Sequence, residues 1–247
     1  MRSIAPGPNE VLVTLNDAAI DGYDLVVGAD GVRSTVRRLV LGTVGRAGGA
    51  GGDPRPVGQY ARRFLAKWPD AAPVWSVMLG PGATFLSIPI GNGLAYCYCD
   101  TGLDRRDEPV REVLRDFAEP VPTLLASAEG ALHGAVVEEV ALPAWSHDTV
   151  VLVGDAAHAT SPNMAEGAAM AFEDAIVLAE SLVDASTIRD ALAAYEHRRR
   201  PRTRWVSAQT HRRDRMRGLA PPLRNLVLRR FGARILRANY RPLHEPP

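Results

Sequence analysis

One stretch of the chain gathers a carboxylate, a glycine turn and a helix start where an anionic ligand could use all three. Residues 150–182, VVLVGDAAHATSPNMAEGAAMAFEDAIVLAESL, read as an apolar strand, a turn at Gly154-Asp155, a loop through Ser161-Pro162 and a long helix of small residues. Asp155 then follows the carboxyl end of a strand, and the helix start aims free amides into the same space. Ligands of open α/β sheets bind in that position. Ionised Asp155 only accepts hydrogen bonds, which suits sugar-like hydroxyls, although a Gly-Asp pair can also simply cap a turn or a helix. The helix dipole and free amides would stabilise dispersed negative charge by roughly 0.3–1 kcal/mol. Pro162 fixes its own φ and so shapes the loop entry. His158 reads as a packed or capping histidine rather than a base. Glu173 and Asp174, adjacent on the helix, point in different directions and read as structural.

The elements that must position these groups follow from apolar periodicity. Ala168, Ala171, Phe172, Ala175, Leu178, Ala179 and Leu182 recur at helical spacing, which predicts one buried stripe. A second strand, DLVVGA at 24–29, is apolar throughout and suits a parallel sheet covered on both faces. It ends at Asp30-Gly31, and VRSTVRRLV continues as a short helix on which Arg33, Arg37 and Arg38 form a solvated face. An earlier strand, 11–15, joins it through a turn at Asp21-Gly22. GTVGRAGGAGGDPRP at 42–56 is a glycine-rich loop. From Gln59 to Asp100 the pattern alternates with period two between Pro and Gly turns, predicting about four antiparallel strands. Val110–Ala118 reads as a helix and Gly134–Ala141 as a strand. Helices near 187–217 and 222–238 follow, separated at Pro221-Pro222. The fold class is α/β, α+β overall: a discontinuous nucleotide-binding-type domain (1–42 and 146–185), a β-rich insert (43–145) and a carboxyl-terminal helical region (186–247).

The 247 residues, 46% hydrophobic and 23% charged, suit a globular protein with a real core. No run approaches the ~18 uninterrupted apolar residues of a membrane span, and the start lacks a secretory h-region. Cys97 and Cys99 alternate in one strand, neither a disulfide framework nor a metal spacing, which points to reduced thiols and a cytoplasmic location. The net charge of +1 hides an asymmetry: from Thr187 onward there are 16 Arg against 4 acidic residues. Lys67 is the only lysine. The basic region reads as solvated helix in an arginine-preferring chain, and no nucleic-acid-binding motif accompanies it.

Taken together, YDLVVGADGVRSTVRR at 23–38 and the segment at 150–182 resemble the second and third flavin motifs of the FAD-dependent aromatic-ring monooxygenases, the para-hydroxybenzoate hydroxylase-like group. ALAAYEHRRRPRTRWV at 191–206 resembles the helix that follows the third motif. Two long matches in the right order, flanking a β-rich insert, carry the likeness. It implies a Rossmann-like FAD-binding domain interrupted by a substrate domain. Gly154, Asp155 and Ala156 would lie at the FAD ribityl chain. Pro162, Ala165, Glu166, Gly167 and Ala168 would lie against the isoalloxazine. Asp30, Gly31 and Arg33 would sit near the pyrophosphate and the path of the nicotinamide cofactor. Ala165-Glu166-Gly167 stands where many members have Gly-Gln-Gly, adding a carboxylate.

The implied reaction uses FAD, NAD(P)H and O2 to hydroxylate an aromatic or other electron-rich small molecule through a flavin hydroperoxide. The cofactor does the chemistry, and no side chain is assigned a catalytic role. On the insert sheet, Tyr60, Arg62, Phe85, Ser87 and Tyr96 are substrate-facing candidates, with Arg62 and Arg63 read as exposed. The family opens with a strand and a G-x-G-x-x-G turn. Residues 1–22 supply neither, and GRAGGAGG at 45–52 follows no strand. The chain thus resembles the carboxyl-terminal two-thirds of such an enzyme, with Leu25–Gly28 left as an unpaired apolar edge. A missing amino-terminal chain or a homo-oligomer are the implied partners. Two alternatives stay open: a non-catalytic remnant or half of a split flavoprotein, and a related flavin reductase or halogenase.

Overall fold

A computed structural model describes residues 1–15, 19–44, 52–68 and 74–247. The glycine run at 45–51 lies outside the described residues. The chain divides into two compact units, one of Met1–Arg55, Glu138–Met216 and Asn225–Pro247, the other of Pro56–Val137 and Arg217–Arg224.

In the first unit, β1 (Ser3–Pro6), β2 (Val11–Leu15) and β3 (Ala19–Tyr23) form an antiparallel meander. Val11 and Val13 of β2 turn inward while Leu12 between them faces out, as period-two alternation requires. Asp21 and Gly22 do not make the expected turn; they lie inside β3, opposite Val13 and Leu12. The exposed Glu10 side chain folds over Gly22, its carboxylate oxygen 2.0 Å from where a Cβ would stand. The apolar runs become β4 (Val26–Gly28) and β11 (Val150–Leu152), paired in parallel, with β10 (Ser146–His147) antiparallel on the far side of β11. The order β10-β11-β4 leaves β4 as the outer strand among the described residues, with Val27 43% exposed. Helix α1 (Thr35–Val44) follows β4, and the single turn α4 (Asp155–His158) and the long α5 (Gly167–Asp184) follow β11. Val36, Val40, Val151, Leu152, Val177 and Tyr195 share one apolar cluster with Ile4 and Val11 of the meander.

Helices α6 (Ile188–Arg217) and α7 (Pro221–Tyr240) complete the chain. Pro221-Pro222 does not separate them but forms the first turn of α7, where a missing amide hydrogen costs nothing.

The second unit is a five-stranded sheet of β5 (Arg55–Lys67), β6 (Ser76–Leu79), β7 (Ala83–Gly91), β8 (Leu94–Gly102) and β9 (Ala128–Glu139), ordered β6-β7-β8-β5-β9. The short α2 (Val110–Val113) and α3 (Val121–Ala126) cover one face. On that face Phe64, Phe85, Cys97 and Cys99 pack with Val113, Leu114, Phe117, Val121 and Leu124. The opposite face carries Arg63, Leu65, Leu86, Tyr96 and Tyr98, since Arg63 pairs with Tyr98, and Tyr98 with Leu86, across the ladder. This parity separates the substrate-facing candidates. Tyr60, Arg62, Phe85 and Ser87 belong to the helix-covered face and Tyr96 to the other. Arg62 is therefore not exposed: it is 2% accessible and donates to Thr101 Oγ1 at 3.1 Å and to the carbonyls of Arg105, Arg106 and Glu108 at 2.8, 2.9 and 3.0 Å. A guanidinium can enter a core when carbonyls take its protons.

Unit one is fixed around a carboxylate. Asp174 of α5 is fully buried and accepts from the Gly154 amide at 2.8 Å and from Arg199 Nε of α6 at 2.7 Å. His158 Nε2 lies 2.6 Å from it, and the imidazole packs 4.9 Å from the Trp145 ring. Arg199, also fully buried, pairs with Glu173 and donates to the Met170 carbonyl at 3.1 Å. Glu173 and Asp174 are structural as expected, yet they converge on one guanidinium. Burial alone would raise the Asp174 pKa; the hydrogen bond and charge of His158, with Arg199 and the Gly154 amide, outweigh it and hold it below the usual carboxylate range.

Two outcomes follow from these cores. Burial pushes the Cys97 and Cys99 thiols up to about 12; at Cys99 the Arg62 guanidinium offsets this only in part, and Asp100 adds to it. A thiol reagent at pH 8 should therefore label the native chain at least about 10³-fold more slowly than the unfolded one; rapid native labelling would refute the packing. Asp174→Asn should lower the unfolding free energy by about 3 kcal/mol, because it takes one of the two carboxylates from the buried Arg199 and leaves only Glu173 to offset its charge. A depressed carboxylate gives stability that is complete above its ordinary value of 3.8 and lost as pH falls through the lower folded value. Chemical denaturation across pH 2–7 should accordingly show a shallower acid limb in the variant.

Candidate functional site

The two motifs meet at one end of the parallel strand pair. Val26, Val27 and Gly28 of β4 register with Val150, Val151 and Leu152 of β11. Asp30 and Asp155 thus both follow the carboxyl ends of neighbouring parallel strands. Arg37 ties the motifs together: it is 1% exposed, not part of a solvated face, and its Nη1 donates to the Ala156 carbonyl at 2.8 Å while Nη2 reaches the Val32 carbonyl.

At the second motif the backbone is bent for a purpose. Gly154 has φ 57° and ψ −141°, and a Cβ there would lie 3.0 Å from the Ala171 Cβ. Glycine at 154 and a small residue at 171 let α5 lie close over the turn. The turn delivers Asp155 to the surface, exposed, beside the start of α5: a Cβ built on Gly167 would sit 3.9 Å from Asp155 Oδ1. Ala156 is buried beneath it.

Between them, Pro162–Met164 makes one 3-10 turn, and Ala165 follows at φ 57° and ψ 25°, the left-handed region. A β-carbon there costs roughly 1–2 kcal/mol relative to ordinary helical backbone. The loop tolerates it because it is tied from below. Met164 is buried against Val206, its carbonyl accepts from Tyr240 Oη at 3.2 Å, and the Asn163 carbonyl accepts from Arg213 Nη1 at 2.7 Å. Above, Ala165, Gly167 and Ala168 are exposed, and the first-turn amides of α5 have no intrahelical acceptor. Glu166 is half-buried at the helix entrance; burial and nearby Glu173 push its pKa up, only partly offset by Arg202 and Arg213.

At the first motif, Asp30 accepts from Ser34 Oγ at 2.5 Å and from the amides of Thr35 and Val36 at 2.6 and 3.1 Å, capping α1. Its burial raises the pKa, but these donors prevail and lower it. Gly31 takes φ 78°, and Arg33 is largely exposed, pairing with Glu138 at 3.1 Å.

Of the α5 stripe expected from periodicity only Leu178 is buried, with Ala171 half-buried against Gly154. Met170, Asp174, Val177, Leu178 and Ser181 are buried, whereas Phe172 is 73%, Ile176 53% and Val183 84% exposed, alongside Ala168, Ala175 and Ala179. A helix apolar on most sides has no unique inner face, and the Asp174–Arg199 pair chooses it. Arg37, Arg62 and Arg199 were beyond sequence reasoning, since nothing in an arginine's spacing distinguishes a buried guanidinium from a solvated one. Among the described residues no group of His, Cys, Asp and Glu could hold a metal, and no helix is long and apolar enough to cross a membrane.

This arrangement has close parallels. A model of the family described as "FAD binding domain" matches residues 22–210. Aurachin C monooxygenase/isomerase of Stigmatella aurantiaca is 32% identical over 202 residues, covering 77% of this chain and 50% of its own. The 3-amino-4-hydroxybenzoate 2-monooxygenase PtnB3 of Streptomyces platensis is 33% identical over 228 residues, covering 85% of this chain and 54% of its own. The chain thus spans about half the length of these curated relatives. Klebsiella pneumoniae HpxO, solved with FAD and uric acid, shares the fold with a TM-score of 0.77 at 24% identity, over 91% of this chain and 59% of its own. The chain belongs to the FAD-binding domain family, in the company of the para-hydroxybenzoate hydroxylase-like monooxygenases.

Proposed function

We propose that the chain is the flavin- and substrate-binding part of an FAD-dependent monooxygenase that hydroxylates an aromatic or other electron-rich small molecule with NAD(P)H and O2. The observation that carries this reading is the exposed Asp155 beside the start of α5, with both motif aspartates following adjacent parallel strands. In it, residues 1–42 and 146–185 form the FAD domain and 43–145 the substrate domain. The residues present fit the group. Asp155, set between Gly154 and Ala156, accepts from the ribityl hydroxyls, and the bare surface of Pro162, Ala165, Gly167 and Ala168 admits a flat ring. Free amides of α5 favour negative charge on that ring. Glu166 adds a carboxylate at that edge, its pKa raised by burial and Glu173 against the partial offset of Arg202 and Arg213. Asp30 shapes the α1 entrance that, with Gly31 and Arg33, lies toward the pyrophosphate. Bound FAD supplies the redox and oxygen-transfer chemistry, and the protein supplies position and electrostatics. The face of the second unit's sheet away from α2 and α3, where half-buried Leu86 and Tyr96 lie near the more exposed Leu65, suits an apolar aromatic substrate. Two buried free thiols support a reducing, cytoplasmic setting.

A second reading is favoured by the exposed Phe172, Ile176 and Val183 of α5 and by the outer position of β4: further polypeptide, of the same protein or a separate chain, completes the FAD site. Titration of the purified chain with FAD, followed by flavin fluorescence polarisation, separates the two. Saturable micromolar binding that weakens about 10–100-fold in Asp155→Ala, the loss of hydrogen bonds to a charged group, supports the first. A chain folded by circular dichroism that binds no FAD would leave only the second.

A further inference from the structure

Helix α7 is poorly explained by the fold alone. From Arg215 to His244 the chain has eight arginines and no aspartate or glutamate. Two of them turn inward: Arg217 pairs with Asp100, and Arg224, 4% exposed, donates to the Leu79 carbonyl at 2.9 Å. Arg224 is the one buried residue of α7. Arg229, Arg230, Arg234 and Arg237, with Arg241 just beyond, are exposed. Arg230, Arg234 and Arg237 follow i, i+4, i+7 spacing and so share one face. Beside them, large apolar side chains face water: Leu223 is 53%, Leu226 65%, Phe231 49% and Leu236 55% exposed.

We infer that α7 is an interfacial helix that rests on an anionic lipid surface. A guanidinium pairs in bidentate fashion with phosphate, and leucine and phenylalanine enter the boundary between headgroups and acyl chains. Other occupants use only half of the feature. A nucleic acid would engage the arginines and leave four apolar side chains in water. A second α7 would bring arginine against arginine with no carboxylate to offset them. A neutral apolar partner would strand the charges. The contact is peripheral and consistent with the absence of a spanning helix among the described residues. It does not depend on the flavin reading.

The test is co-sedimentation of the whole chain with phosphatidylcholine vesicles, alone or with about one-third phosphatidylglycerol. Each arginine near an anionic surface is worth about a fivefold change in binding. The chain should therefore bind the anionic vesicles at least about tenfold more tightly than neutral ones, and less tightly as salt rises. Replacing Arg229, Arg230, Arg234 and Arg237 by glutamine should abolish that preference. The pair Leu226→Asn and Phe231→Asn should weaken binding about tenfold while keeping its dependence on anionic lipid. Helicity by circular dichroism should be unchanged in both variants. No binding, equal binding to neutral vesicles, or binding indifferent to the arginine variant overturns the inference. So does a concentration-dependent dimer lost in the leucine–phenylalanine variant without vesicle binding, or tight capture of a duplex oligonucleotide in place of vesicles.

Discussion

A single buried carboxylate organises the first unit. Asp174 holds the Gly154 amide, stands against His158 and accepts from Arg199, so the turn after β11, the helix that follows it and the helix beyond are registered on one group. An ionised carboxylate in an apolar interior is expensive unless every oxygen is used, and here the guanidinium, amide and imidazole use them. The consequence is geometric. The backbone at 154 cannot relax from its positive φ without giving up that amide contact, and Asp155, one residue on, inherits its exposed position.

The second tie, from Arg37 to the Ala156 carbonyl, works across sequence distance. It joins a motif near residue 30 to one near residue 155, which the parallel pairing of β4 and β11 has already placed side by side. Parallel strands need a long crossover, and here that crossover holds Pro56–Val137 of the second unit. The cost of closing so long a loop rises only logarithmically with its length, which is why so many residues can be inserted between two paired strands without separating them.

Much of this was legible in the sequence because the signals were local. Apolar runs ending in Ala29-Asp30-Gly31 and Gly154-Asp155 announced buried strands with carboxylates beyond them, and period-two alternation announced the antiparallel sheet. What was not legible depended on partners distant in the chain. Gly22 looked like a turn, yet it pairs with Leu12 inside a strand. Strand β1, four residues ending in a proline, was too short to stand out. The inner face of α5 was misread because alanine, phenylalanine and isoleucine occur all round it, and a charged residue, read as structural but not as buried, set the orientation. Arg62 was misread for the same reason: its burial is decided by three loop carbonyls some forty residues away.

The alternation in the second unit has a bearing on how such a protein changes over time. Residues 62, 64, 85, 97 and 99 answer to the packing of α2 and α3, whereas residues 63, 65, 86 and 96, their immediate neighbours in sequence, face the other way. Substitutions can therefore accumulate on the side away from those helices while the packed side is kept for stability. The strand's pleat lets neighbouring residues vary under separate constraints, and a lineage can remodel one face without first surviving an unstable intermediate.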